Sequence, residues 1–355
     1  MKLPNTELPD VWERMRAASL PLYIYGTGDG ADKIIDEMNR RGLFPSGIFA
    51  SDGFVRNRDF RGFHVTSYAD VCRERESFAV ILAFGTSRPD VIENIRKISR
   101  ERELFCPDMP VAGDTIFDRR FYREYYASFS ELSDLLSDDV SRRLLCNILN
   151  YKLTGNIDFL LDDTDKSDCP LHFERYKAAV DLGAYTGDTT DAILSASHMI
   201  ERIFAFEPEP RAYKKLAEKA SVTPQITPIN AAAWSEDTVL DFTELSGRGS
   251  SLGGKNHRGT KKIAVSARTV DGAVENECID FIKFDVEGAE REALIGARNT
   301  IYRCRPEMLV SVYHRTDDLT ALPRMIKSYV PEYKLYLRRG RCIPAWELNL
   351  YCVNE

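Results

Sequence analysis

The residues best suited to chemistry follow apolar, strand-like segments in the C-terminal half of the chain. After Asp181 comes a turn that consists of Gly183, Ala184, Tyr185, Thr186 and Gly187. Glycine has no side chain, so Gly183 and Gly187 let the backbone approach a ligand closely. The Asp181 carboxylate suits an ammonium group, and the N–H groups at the start of the following helix suit a carboxylate. The turn therefore predicts an amino-acid-bearing ligand, although a tight turn without a ligand fits the same pattern.

Two further segments suit a nucleoside. Pro208 keeps Glu207 extended at a predicted strand end, so that its carboxylate projects outward. One carboxylate can accept hydrogen bonds from two vicinal ribose hydroxyls, and Glu207 lies 24 residues after Gly183, near the spacing of about 20 expected for a ribose-binding acid. Small residues near Ala231 leave room for a flat base, which Asn230 or nearby backbone could bond. An exposed glutamate without a ligand is the alternative for Glu207.

Acidic residues and one histidine follow the next two predicted strands. We expect Asp285 and Glu287 to face the ligand, whereas Glu290 is interpreted as stabilising a helix N-terminus. His314 has an ordinary pKa of about 6.5, which suits proton removal at neutral pH. His314 is therefore the first candidate for a general base and Asp285 the second, in one catalytic group with Glu287. A structural histidine is the alternative.

The elements that position these residues alternate along the chain. Apolar strand-like runs occur at residues 178–182, 202–206, 225–230, 279–284 and 308–313. Helix-like segments separate them, which implies parallel β-α-β units. In open α/β sheets a ligand binds beyond the carboxyl ends of the strands, where all these candidates lie. Two last strand-like runs, 333–337 and 348–353, flank a turn-like segment and predict a terminal hairpin.

A second glycine-rich turn lies near the N-terminus. Gly26, Gly28 and Gly30 follow a short apolar run, and Asp52 ends the next predicted strand. The turn is similar to a Rossmann turn, but Ala31 replaces the third glycine of G-x-G-x-x-G. It resembles the N-terminal nucleotide-sugar-binding modules of some sugar-modifying enzymes. A second nucleotide site at these four residues and a degenerate structural module both stay open.

The chain is predicted to have three parts: a smaller Rossmann-like α/β domain at 1–107, a helical connector at 108–175 and the ligand-binding domain at 176–355. Apolar residues at helical spacing over 132–153 and nearby Ser and Asp residues, which could cap helices, indicate the connector. The Gly- and Ser-rich segment 246–254 suits either a flap over the substrate or a plain flexible loop.

Composition restricts the partners and the location. The net charge of −7 disfavours a general affinity for nucleic acids. The eight cysteines form no CxxC pair, so no metal or redox site is predicted. No apolar run nears the roughly 20 residues of a membrane span, and no signal peptide is visible. We therefore expect a cytoplasmic protein that acts on a small molecule, without a membrane partner. A homodimer is compatible with the sequence, which does not fix the oligomeric state.

Six segments of the C-terminal half follow one another in order: VDLGAYTGDTT, FAFEPEPRAYKKL, NAAAWSEDTVL, TVDGAV, FIKFDVEGAEREALIGARNTI and RPEMLVSVYH. Together they resemble the FkbM family of S-adenosylmethionine-dependent methyltransferases, from about Ala178 to the C-terminus. The resemblance implies a class I Rossmann-like sheet that ends in an antiparallel hairpin, with S-adenosylmethionine as cofactor. It also implies methyl transfer, commonly to an oxygen of a sugar or another small hydroxylated substrate.

The resemblance also carries residues over. It implies that Asp181, Gly183, Ala184 and Gly187 lie in a methionine-binding loop and that Glu207 lies at the ribose position. It places Asp285 and Glu287 in the family's acidic block. The fifth strand of this family often ends in Glu-x-His, but here Val312 stands in the glutamate position before His314.

Two other functions stay open at this point. One is an NAD-dependent sugar oxidoreductase centred on the N-terminal glycine turn. The other is a non-catalytic scaffold that binds nucleotide sugars. The cofactor that binds, and whether methyl transfer occurs, would separate these from a methyltransferase.

Overall fold

The computed structural model describes residues 2–51, 55, 58–161, 169–244, 251–252 and 261–354. Its helices are α1 Val11–Ala18, α2 Asp29–Arg40, α3 Tyr68–Glu74, α4 Pro89–Glu101, α5 Arg119–Leu135, α6 Asp139–Thr154, α7 Asp158–Leu161, α8 Asp188–Ala196, α9 Pro210–Ala220, α10 Val270–Val274, α11 Glu290–Gly296, α12 Arg298–Cys304 and α13 Asp318–Tyr329. Among these residues no helix has both the length and the apolar character of a membrane span.

The N-terminal region forms a mostly parallel sheet. Its strands are β1 Leu22–Tyr25, β2 Gly47–Ala50, β3 Asp59–Phe60, β4 Phe63–Ser67, β5 Ala79–Leu82 and β6 Leu104–Phe105. They lie in the order β3-β4-β2-β1-β5-β6, in which β3 pairs antiparallel with β4 and the other pairs are parallel. The central strands β1 and β5 are buried along their whole length, as expected for parallel strands covered by helices on both faces.

The C-terminal region forms a larger sheet. Its strands are β7 Ala178–Leu182, β8 Arg202–Phe206, β9 Ile226–Ile229, β14 Phe281–Phe284, β15 Glu307–Ser311, β16 Lys334–Arg339 and β17 Leu348–Val353. They lie in the order β16-β17-β15-β14-β7-β8-β9. β17 pairs antiparallel with β15 and β16, and the remaining pairs are parallel. The predicted class I α/β sheet with a terminal antiparallel hairpin is therefore confirmed.

A small sheet accompanies the larger one. Its strands are β10 Ala232–Ala233, β11 Thr238–Glu244, β12 Ser251–Leu252 and β13 Lys261–Arg268. They lie in the order β10-β13-β11-β12, and β11 pairs antiparallel with both β12 and β13. The rest of the Gly- and Ser-rich segment predicted as a flap or loop, residues 246–250 and 253–254, lies outside the described residues.

Two helices link the two large sheets. α5 and α6 each begin at an aspartate whose side chain accepts a backbone N–H: Asp118 from Phe121 and Asp138 from Ser141. Such caps satisfy N–H groups that a helix start leaves unpaired. Helix α6 packs against β16. A single hydrophobic cluster contains side chains of all three predicted parts, including Tyr25, Tyr122 and Val180. The predicted boundaries at residues 107 and 175 stay a prediction.

Candidate active site

Four neighbouring strands bring the predicted residues to one edge of the larger sheet. Strands β15, β14, β7 and β8 are adjacent and parallel, so their carboxyl ends lie side by side. His314, Asp285, Asp181 and Glu207 lie at or just beyond these ends. Residues distant in sequence thus meet at the place where open α/β sheets bind ligands.

The turn after β7 requires two glycines. Gly183 has φ +80°, and a Cβ atom there would lie 2.0 Å from the Asp285 carbonyl oxygen. Gly187 has φ +88° and precedes α8 without a side-chain cap. Both positions lie in the left-handed region, which favours glycine. Between them, Ala184 is buried, Thr186 is half-buried and Tyr185 is exposed. The turn presents backbone N–H groups of a helix start, which suit an anionic group.

Asp181 is fully buried inside the protein. Thr190 Oγ1 donates to its Oδ2 at 3.1 Å, and Lys283 Nζ lies 3.5 Å from its Oδ1. Burial raises the pKa of Asp181, and the Lys283 charge opposes this shift only in part. The predicted pairing of Asp181 with a ligand's ammonium group does not fit this position, because its carboxylate is enclosed and both oxygens have protein partners. Asp181 instead holds Lys283 and the start of α8.

Glu207 faces the same turn from the neighbouring strand. Its Oε2 accepts the Tyr185 N–H at 2.7 Å, and its Oε1 accepts the Glu209 N–H at 2.7 Å. Burial raises the pKa of Glu207 to about 7, although the two backbone N–H groups counteract the shift. A carboxylate offers about four acceptor positions, so two remain for ribose hydroxyls. The ribose-binding role of Glu207 stays a prediction.

The residues predicted to contact the nucleobase lie farther along the same edge of the sheet. Asn230 follows β9 and is exposed, whereas Ala231 is buried. Ala231 donates its backbone N–H to the Ile229 carbonyl at 2.9 Å. The exposed Asn230 side chain can therefore meet a ligand, but Ala231 can contribute only as a small residue that leaves space.

Three carboxylates surround His314. The ring is 1% exposed, and its Nδ1 lies 2.8 Å from Glu290 Oε1. Its Nε2 lies 3.6 Å from both Asp285 Oδ1 and Glu287 Oε2. Among the described residues, donor atoms of Asp285, Glu290 and His314 lie within 4.8 Å of one another. The structure thus brings together the predicted catalytic group and adds Glu290, which the sequence suggested only as a helix stabiliser.

His314 does not suit the predicted role of general base. Burial alone would lower its pKa, but the charges of Glu290, Asp285 and Glu287 raise that pKa to about 10. The ring therefore carries two protons at neutral pH and is enclosed by protein. By contrast, the side chains of Asp285 and Glu287 remain 33% and 34% exposed. Burial raises the pKa of Glu287 to about 7, with the His314 charge opposing it.

Lys283 is a site residue that the sequence reasoning missed. It lies within β14, and its Nζ is 3.4 Å from Asp285 Oδ2 and 3.5 Å from Asp181 Oδ1. Burial would lower the pKa of Lys283, but these two carboxylates outweigh burial and raise it. Burial alone would raise the pKa of Asp285, but the charges of Lys283 and His314 outweigh burial and lower that pKa. A lysine in an otherwise apolar strand was the signal available in the sequence.

The segment before α5 covers the histidine. Ala112 N–H donates to the His314 carbonyl at 2.9 Å. A Cβ atom on Gly288, which has φ +99°, would lie 2.4 Å from the Ala112 Cβ, so glycine is needed there. Arg315 Nε also donates to the Gly288 carbonyl at 2.7 Å. Part of the predicted connector therefore encloses the cluster, which no local sequence signal indicated.

The N-terminal glycine turn has a different environment. A Cβ atom on Gly26 would lie 2.8 Å from the Phe84 ring, and one on Gly30 would lie 2.4 Å from the Ala83 carbonyl oxygen. Gly28 has no atom within 4 Å of such a position. Asp52, the fourth member of the predicted second nucleotide site, lies outside the described residues. The second site therefore stays a prediction.

A family of known proteins matches part of the C-terminal half of the chain. Residues 181–338 match the family model of the methyltransferase FkbM domain. No curated protein matches the chain. The crystal structure of methyltransferase FkbM from Methylobacillus flagellatus aligns with a TM-score of 0.70 and 19% identity, covering 99% of this chain and 94% of that chain. This likeness shows a shared fold that includes the N-terminal sheet and the linking helices.

Two more distant structures align with the chain in part. Fibrillarin from Aeropyrum pernix in complex with S-adenosylmethionine has a TM-score of 0.31 and 17% identity, over 52% of this chain and 69% of that chain. An rRNA methylase from Streptococcus thermophilus has a TM-score of 0.33 and 12% identity, over 50% and 86%. Scores this low carry no weight for function. The family model matches residues 181–338, and the full-length likeness shows the fold alone.

Proposed function

We propose that the protein transfers a methyl group from S-adenosylmethionine to a hydroxyl oxygen of a small, sugar-like acceptor. The observation that carries this proposal is the convergence of the Gly183–Gly187 turn, Glu207 and the Asp285–Glu287 carboxylates at one sheet edge. The FkbM domain match supports methyl transfer as the reaction class. Several hydroxyls on an acceptor would each find a hydrogen-bond acceptor among the carboxylates.

The cofactor is proposed to lie along the turn after β7. Its ribose hydroxyls donate to Glu207, whose carboxylate is already oriented by the Tyr185 and Glu209 N–H groups. Its methionine carboxylate meets the start of α8, where Gly187 leaves N–H groups uncapped by a side chain. Asp181 contributes through Lys283 and Thr190, because its own carboxylate is enclosed.

The acceptor oxygen is proposed to attack the sulfonium methyl in line. The sulfonium is already activated, so positioning supplies most of the acceleration, up to about 7–11 kcal/mol in well-oriented reactions. The hydroxyl proton leaves toward the carboxylates of Asp285 and Glu287, which reach open space. His314 is enclosed and cannot reach the acceptor, so its charge holds the two carboxylates in place.

The test is acceptor-dependent release of S-adenosylhomocysteine from the full chain with a panel of hydroxylated small molecules. Asp285→Asn and Glu287→Gln are expected to lower kcat by about 10²–10⁴-fold, while the cofactor Kd stays unchanged. Glu201→Gln is the matched control, because Glu201 is exposed beside the opposite end of β8. Full turnover in both cluster variants would refute their role, and no release with any acceptor would refute the activity.

A further inference from the structure

Two cysteines from different parts of the chain meet at the amino ends of β14 and β15. Phe281, the first residue of β14, pairs with Glu307, the first residue of β15. Cys278 and Cys304 each lie three residues before their strand begins. They therefore approach two neighbouring parallel strands at matching positions, and such strands lie about 4.8 Å apart. This spacing falls within the range of Cα separations that a disulfide spans.

The side chains of the two cysteines are in contact. The Cys278 and Cys304 thiols lie within hydrogen-bonding distance of each other, and Cys304 Sγ also lies 3.7 Å from the carbonyl oxygen of Glu277. Cys278 is exposed and Cys304 is half-buried, so a reagent from solvent meets Cys278 first. Disulfide formation requires such a pair, with two free thiols in contact and at least one of them accessible.

The segment that carries Cys278 is fastened to the end of α12. Arg303 donates from its two Nη nitrogens to the Glu275 and Glu277 carbonyl oxygens, at 2.9 Å each. These bonds hold the two thiols together without a covalent link, so bridging them needs little movement of the backbone. Sequence spacing does not reveal the pair, because the cysteines are 26 residues apart and only the parallel pairing of β14 with β15 brings them together.

We propose that Cys278 and Cys304 form a reversible disulfide through exchange with a small disulfide of the oxidised glutathione kind. The Cys278 thiolate attacks one sulfur of the small disulfide, which forms a mixed disulfide and releases one small thiol. The Cys304 thiolate then attacks the Cys278 sulfur and releases the second small thiol. The two protein thiols are oxidised to one disulfide, the small disulfide is reduced to two thiols, and the two protons pass through solvent to these released thiols.

The bridge lies at the opposite end of β14 from the candidate active site. Cys278 precedes the amino end of β14 and Asp285 follows its carboxyl end, and the strand alone spans roughly 13 Å. The disulfide therefore acts on stability and not on methyl transfer, since a closed loop restricts the unfolded chain. An exposed disulfide is also readily reduced, so the bridge responds to the thiols around the protein.

The test exposes the reduced full chain to oxidised glutathione. Burial raises the pKa of Cys278, the Cys304 thiol adds to this shift and the Arg303 charge opposes it, so the reaction is run at about pH 8.5, where more of the thiol is ionised. Remaining thiols are then alkylated, and tryptic peptides are analysed by mass spectrometry without reduction. The two cysteines fall in separate peptides, 269–283 and 304–315, since trypsin does not cut before Pro306.

The expected product is a disulfide that joins peptides 269–283 and 304–315 and that a reductant releases. In Cys304→Ser, which lacks the second thiol, Cys278 should keep a glutathione adduct. Cys169→Ser is the matched control, because it removes another exposed thiol and should leave the bridge unchanged. A lasting glutathione adduct on Cys278 in the unmodified chain, or recovery of both cysteines as alkylated thiols, would overturn the proposal.

Urea unfolding of the oxidised and the reduced chain measures the consequence of the bridge. We expect oxidation to raise the urea midpoint of the unmodified chain and of Cys169→Ser, but not that of Cys278→Ser. An unchanged midpoint in the bridged protein would contradict the stabilising role. Neither experiment uses cofactor or acceptor, so a failure here leaves the proposed methyl transfer intact, and a failure of methyl transfer leaves the disulfide intact.

Discussion

The chain contains two strand–glycine–helix turns that look alike in sequence but have different surroundings. In the N-terminal sheet, Gly26 lies against the Phe84 ring, and Phe84 packs edge-on against Tyr25 at 4.9 Å. In the larger sheet, Gly183 lies against the Asp285 backbone, and Glu207 accepts the Tyr185 N–H of the turn. One turn is lined by aromatic rings and the other by carboxylates.

The carboxyl end of β5 in the N-terminal sheet is also used for packing. A Cβ atom on Gly85, just past β5, would lie 2.1 Å from the Trp346 ring. Thr86 and Ile343 exchange backbone hydrogen bonds at 2.8 and 3.0 Å. The N-terminal sheet thus uses part of its carboxyl edge to bind the C-terminal region. A glycine turn alone is therefore a weak indication of a ligand, and the neighbouring strand tips are more informative.

Alanine substitutions at Gly183 and Gly28 should give the largest difference in stability. Gly183→Ala would place Cβ 2.0 Å from the Asp285 carbonyl oxygen at a positive φ, so we expect a loss of about 3 kcal/mol or more. Gly28→Ala meets no atom within 4 Å, and as a helix-cap change it should cost within about 1 kcal/mol. Urea unfolding of both variants measures the difference. Equal losses would contradict the difference in packing between Gly183 and Gly28.

The carboxylate of Glu207 should make stability depend on pH. Its pKa is about 7 in the folded chain because of burial, with Glu209 and Asp181 adding negative charge nearby, against about 4.3 when unfolded. The folded state therefore binds more protons between these values, and this contribution to stability falls as pH rises from about 4.3 to 7. Relative to Glu207→Gln, the wild type should lose up to about 3 kcal/mol between pH 4 and 8.

Chemical unfolding of the cofactor-free chain over this pH range gives the comparison. The test is how the difference in unfolding free energy between wild type and Glu207→Gln changes with pH. Its value at a single pH is not informative, because the amide also alters the hydrogen bonds to Tyr185 and Glu209. Glu201→Gln, at an exposed position, should show no such trend. A constant difference between wild type and Glu207→Gln would mean that the Glu207 carboxylate is not shifted.

Much of the fold could be predicted because its strands are short apolar runs. The predicted bounds 178–182, 202–206 and 348–353 coincide with β7, β8 and β17. The predicted run 308–313 instead corresponds to Glu307–Ser311. Tyr313 and His314 lie beyond the strand, because the apolar pattern does not show where the strand pairing stops.

The chemistry of the cluster was less predictable than its position. Glu290 fits a helix start equally well with or without His314 as a partner, and the partner is 24 residues away. The His314 carbonyl accepts an N–H from Ala112, which belongs to another part of the chain. The protonation of His314 depends on its burial and on the neighbouring carboxylates together. Sequence spacing shows neither, so it could not exclude His314 as a general base.

Isothermal titration of the full chain with S-adenosylmethionine, and separately with NAD, tests the central claim most directly. We predict one equivalent of S-adenosylmethionine per chain, at least about tenfold weaker binding in Glu207→Ala and unchanged binding in Gly28→Ala, with no NAD binding at the same concentrations. Unchanged S-adenosylmethionine affinity in Glu207→Ala, or binding of NAD that is lost in Gly28→Ala, would contradict the assignment of the cofactor to the C-terminal turn.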